Sequence, residues 1–139
     1  MSMNEPISVQ EALIYVMVIV SASDNQMTDN ELATIGDMIK MLPVFNGYDG
    51  NRIIPAAQRC GDILQEDNGL QLVLELVGDV IPAKLYDTAY ALAVEVAAAD
   101  LHVEKEELRI LQLLRDRFKL DKLTVAAIER GAIARHRTI

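Results

Sequence analysis

A chain of 139 residues is long enough to bury the core of one domain. Hydrophobic residues make up 51% but aromatics only 4%, with no Trp, so the core must come from Leu, Ile, Val, Ala and Met, which suits packed helices better than a β-sandwich. A net charge of −8 and a pI near 4.7 argue against a nucleic-acid binder and against capture of a small oxyanion by bulk electrostatics.

The charge is unevenly spread. Residues 1–104 carry 4 Lys/Arg against 16 Asp/Glu, whereas residues 105–139 carry 9 against 5. The plain reading is helix surface with cations near C-terminal helix ends. The other reading is a bipolar surface for a partner or for self-association. Cys60 is the only cysteine, which rules out an internal disulfide, a Cys-x-x-Cys pair and a thiolate zinc site.

Met1–Pro6 reads as a disordered lead. Ser8-Val-Gln-Glu11 is a capping box that starts a helix through Ala12–Ala22. Ala12–Val20 is wholly apolar, so this helix should be central. It is nine residues long, short of the roughly 20 that a bilayer span needs. No basic region precedes it, so neither a membrane span nor a signal peptide is expected, and the chain reads as cytoplasmic.

Ser23–Met27 breaks the first helix. Thr28-Asp-Asn-Glu31 is a second capping box, and Leu32, Ile35, Met38 or Ile39, and Leu42 give the second helix an apolar stripe. Pro43 ends it. After the turn cluster Asn46–Asn51, a third helix is predicted over about Arg52–Gln65, with Pro55 in its first turn. Asp67 is a candidate cap for a fourth over Leu70–Val80. A fifth, rich in small residues, covers Lys84–Ala99. A sixth runs from Glu104 to Phe118. A seventh runs over about Lys122–Arg135, capped by Asp121, with 136–139 as a frayed tail. No segment alternates with a period of two, so the expected fold is one all-α domain, a compact bundle of about seven helices.

Two stretches repeat. Val20–Ile35 and Val96–Leu111 each hold an apolar run, an Asp, a short turn, a Glu and a second apolar run, offset throughout by 76 residues. The offset lays helices one and two onto five and six, a pseudo-twofold helix-turn-helix repeat. In each copy the Asp ends one helix and the Glu sits in the first turn of the next, so Asp24 with Glu31 and Asp100 with Glu107 can point into one space. Clustered carboxylates cannot all stay ionised unpaired. A hard cation resolves this, and oxygen-only ligands suit Mg²⁺, Ca²⁺ or Mn²⁺. Thr28 and backbone carbonyls are further candidate ligands. Capping competes with this reading: Glu31 closes a box without any metal, whereas Glu104 is a poor N-cap and offers Glu107 no such reason.

Other residues read more plainly. His102 and His136 look solvated, Cys60 and the Met residues at 17, 27, 38 and 41 look like core, and Glu95 is either a fifth ligand or a wetter face of its helix. No nucleophile–base pair, phosphate-binding Gly loop or metalloprotease motif is present, so no enzyme is expected. The alternatives are a purely structural protein-interaction domain without metal, whose acidic clusters only cap helices, and, less favoured, a metal-assisted hydrolase on the same carboxylates.

The repeated Ala-x-x-Asp-x-x-(apolar)-x-x-x-Glu pattern resembles the TerB-like tellurite-resistance family. It reads Ala-Ser-Asp24-Asn-Gln-Met27-Thr-Asp-Asn-Glu31 after Ser21, which stands in the Ala position, and Ala-Ala-Asp100-Leu-His-Val103-Glu-Lys-Glu-Glu107 after Ala97, and the likeness runs from about Ala12 to Phe118. The family often has Gly after the Asp, where Asn25 and Leu101 stand here. The resemblance implies a bundle of about seven helices and a metal held at Asp24, Glu31, Asp100 and Glu107. It also implies a cytoplasmic, non-enzymatic role in stress response, as a metal-sensing or scaffolding part of a protein assembly.

Overall fold

The computed structural model describes residues 7–22, 27–99 and 105–139. The described residues form seven α-helices and no strand. They are α1 (Val9–Ser21), α2 (Asp29–Met41), α3 (Ile53–Leu64), α4 (Gly69–Val80), α5 (Tyr86–Ala99), α6 (Lys105–Phe118) and α7 (Lys122–Arg135). Short 3-10 turns at Pro43–Phe45, Gly50–Arg52 and Ala83–Leu85 lie between them. The lead Met1–Pro6 and the expected sixth-helix start at Glu104 lie outside the described residues.

α1 is the hub. No residue from Ala12 to Val20 is more than 2% exposed. A helix that is apolar all round must be covered all round, and α2, α3, α4, α5 and α6 all touch it. α5 packs beside α1 in the centre, where Ala89, Ala93 and Ala97 are buried and let neighbouring helices come close. α2 and α6 each touch both central helices, and α7 lies on α5. No described helix is long and apolar enough to cross a membrane.

The helix ends follow local chemistry. Ser8 Oγ accepts from the Glu11 N–H at 3.0 Å, Thr28 Oγ1 from Glu31 N–H at 3.1 Å, and Asp121 Oδ1 from Thr124 N–H at 2.8 Å. Hydrogen bonds from Thr124 also hold the Asp121 carboxyl below the usual carboxylate range. Pro43 stops α2 by leaving Leu42 extended, at ψ 135°.

Three expectations need correction. The N-cap of α4 is Asn68, not Asp67; it takes the left-handed conformation at φ 59° and makes no side-chain cap. α3 and α4 meet closely just after it: a Cβ on Gly69 would lie 2.3 Å from the Ile63 carbonyl oxygen. Met41 is not core; it is 81% exposed, although Met17, Met27 and Met38 are buried or partly buried. The box at Ser8 is also half-formed, because the Glu11 side chain turns to Arg59 and Arg52 instead of back to the Ser8 backbone.

Candidate functional site

The four carboxylates of the repeat divide between described and undescribed segments. Asp24 and Asp100 lie outside the described residues, as does His102. Glu31 and Glu107 are each the third residue of their helices as described. The two carboxylates differ in setting. Glu31 closes the complete capping box, its Oε1 accepting from the Thr28 N–H at 3.0 Å. Glu107 is buried, at 5% exposure, among the core-facing residues of α6. Burying a carboxylate costs several kcal/mol unless positive charge or donors compensate it, and Glu107 is not without such an interaction.

Ser21 ends α1, at the start of the segment that leads to Asp24. It is 5% exposed, and its Oγ is a buried hydroxyl with no hydrogen-bond partner among the described residues. Unmatched buried polar atoms are uncommon in folded proteins and call for a reason. Ser21, Glu31 and Glu107 are thus described members of the repeat with a buried or fully engaged oxygen, and the Glu31 oxygen is engaged by the Thr28 N–H. Among the described residues no three His, Cys, Asp or Glu side chains converge as a metal cluster.

Three polar clusters lie elsewhere, none of them read from the sequence as a unit. Glu11, 4% exposed, holds Arg59 from α3, and Arg52 stands 3.5 Å away. Tyr90 on α5 donates to Glu129 Oε2 at 2.6 Å and accepts from Arg115 Nη1 at 2.9 Å, while Arg115 and Glu129 pair at 3.1 Å. One hydroxyl thereby ties α5, α6 and α7. Glu95 pairs with Arg135 and lies 2.8 Å from His136 Nε2. His136 is exposed and Glu95 half-buried on the wetter side of α5, in keeping with the sequence reading; what the sequence did not show is that they meet, together pinning the end of α7 to α5. Glu95, the one charged residue in the apolar second half of α5, was singled out in the sequence as a candidate ligand or a wetter face, not as this tie.

Burial raises the phenols and the thiol. Tyr15 and Tyr90 are pushed up to about 12, and Cys60, fully buried on α3, also to about 12. For Tyr90 the hydrogen bond to Glu129 adds to the effect of burial. Cys60 is therefore a core residue and not a nucleophile. A cleft of about 270 Å³ opens where Ala22, Met27 and Thr28 face Ile54, Gly61 and Leu64 of α3. A larger groove runs over α5.

The class defined by the described residues is an all-α domain of seven helices with α1 and α5 at its centre. Compared with family models, with curated proteins and with solved structures, the chain matches none.

Proposed function

We propose that this chain is a TerB-like stress-response module that binds a divalent cation and presents a surface to protein partners without catalysing a reaction. The observation that carries the reading is the burial of Glu107 at the place in α6 that Glu31 holds in α2. Capping accounts for Glu31 but does not require a carboxylate in α6 to leave water. The unmatched Ser21 hydroxyl beside the Asp24 segment supports it. So does the packing of α2 and α6 each on both central helices, the arrangement a pseudo-twofold repeat would have. In this reading Asp24, Glu31, Asp100 and Glu107 hold Mg²⁺, Ca²⁺ or Mn²⁺, and the ion fixes the two turns relative to one another.

The second reading is a metal-free interaction domain, and the complete Thr28–Glu31 box favours it. One substitution separates the two. Glu31→Gln keeps an acceptor for the Thr28 N–H, since Gln also closes a capping box. It removes the charge that a cation needs. Calorimetric titration with each metal should show saturable binding to the native chain, weakened at least about tenfold, or about 1.4 kcal/mol, by Glu31→Gln and abolished by Asp24→Asn/Asp100→Asn. Metal-free stability of Glu31→Gln should stay within about 0.5 kcal/mol of the native chain. No saturable binding at millimolar metal leaves the interaction-domain reading standing.

A further inference from the structure

We infer that the groove over α5, between α2 and α7, is the docking face for a second copy of this chain, paired by a two-fold axis. Two cavities of about 430 and 570 Å³ both reach Thr88 and Ala91 of α5, so they adjoin along that helix. On the α2 side stand Asp37, Met38, Met41 and Leu42. On the α7 side stand Leu123, Ala127 and Ile128.

The two walls carry apolar side chains that water should not keep. Met41 and Leu123 are each 81% exposed, on opposite sides of the same trough. A single exposed apolar residue means little. Two large ones facing each other across an apolar channel mark a contact surface.

Charge selects the occupant. Asp37 is exposed on the α2 wall and makes no ion pair among the described residues. Arg130 is exposed on α7, about one turn beyond Ala127, and likewise makes none among them. One rim is therefore apolar and acidic, the other apolar and basic, and they lie on one face. A two-fold rotation lays each rim on its opposite. Antiparallel pairing of α2 with α7 of the second copy puts Met41 against Leu123 and Ala127 while Asp37 reaches Arg130. The contact occurs twice, and because the patch is its own complement it closes as a dimer instead of growing a filament. A stable interface takes about 800 Å² from each copy, about a tenth of the 8640 Å² surface here. A lipid surface fits less well: α7 lacks aromatic residues, and an overall charge of −8 is repelled by anionic headgroups.

Sedimentation of the full chain across a concentration series tests this. The native protein should be dimeric at about 100 μM, in the range of weak self-association. Met41→Asp should sediment as a monomer with its helical circular dichroism unchanged. Asp37→Arg and Arg130→Asp should each weaken the dimer by about tenfold or more, and the doubly reversed chain should recover to within about threefold of native, because the pair is re-formed with its signs exchanged. A native chain that stays monomeric at every concentration overturns the inference. So does a dimer indifferent to Met41→Asp, or a double reversal no tighter than the single ones.

Discussion

Cys60 and Glu11 show how one buried atom depends on its surroundings. Burial lifts the Cys60 thiol to about 12, so almost no thiolate exists at neutral pH. A disulfide-exchange reagent at pH 8 should label it no faster than the chain unfolds; labelling within seconds in native buffer would show the thiol to be accessible. Glu11 occupies a capping position by local pattern, yet its carboxylate serves Arg59 in α3 and stands near Arg52. Removing the charge with Glu11→Gln takes the anion from between two guanidinium groups at the edge of the core. We expect a loss of about 3 kcal/mol by urea unfolding, far beyond the roughly 1 kcal/mol of a helix cap. A loss no larger than the cap value would mean that the pair contributes nothing. Ser8 was legible as a cap because its partner lies three residues on. The Arg59 pairing was not, because no pattern within one turn can see 48 residues ahead.

At the scale of an element, helix ends set by side-chain caps or by proline were readable, and ends set by another helix were not. α7 runs from Lys122 to Arg135 as its Asp121 cap predicts, and Pro43 stops α2 as expected. The start of α4 fell within one residue of expectation, but its Asp67 cap did not form, and the close contact of Gly69 with the end of α3 was not readable from the sequence. That contact makes a sharp prediction. Alanine is the better helix former by roughly 1 kcal/mol. At Gly69, however, its Cβ would meet backbone atoms of Ile63 and Leu64 that cannot swing aside. Gly69→Ala should therefore destabilise by about 2 to 3 kcal/mol despite its propensity gain. Lys119 makes the opposite case. It holds φ 53° after α6, where the Leu120 N–H donates to the Arg115 carbonyl at 3.2 Å. Lys119→Gly should raise stability by about 0.5 to 1 kcal/mol, since glycine takes the left-handed turn without a Cβ penalty. A fall in the denaturation midpoint would show that the lysine side chain contributes more than the backbone strain costs.

Over the whole molecule, the unbroken apolar run Ala12–Val20 made the central helix plain, and a helix with no polar face forces the rest into a bundle around it. The repeat marked two carboxylates per copy, of which Glu31 and Glu107 turn out to sit alike in sequence and differently in burial, a distinction that depends on tertiary packing. The same packing gives the molecule an alkaline limit. The phenols of Tyr15 and Tyr90 are raised by burial from 10 to about 12, and the Cys60 thiol from 9 to about 12. A folded-state value above the unfolded one means that the native chain keeps its proton where the unfolded chain has lost it. The stabilisation is thus fully present below about pH 9 and is lost as pH climbs through 12, with stability falling wherever the unfolded state binds fewer protons. The urea midpoint should be flat from pH 7 to about 8.5 and then descend, the thiol contributing first and the two phenols from about 10 upward. Cys60→Ala should remove the earliest part of the descent and Tyr90→Phe part of the later one. A midpoint that holds steady to pH 11 would contradict the burial of all three groups.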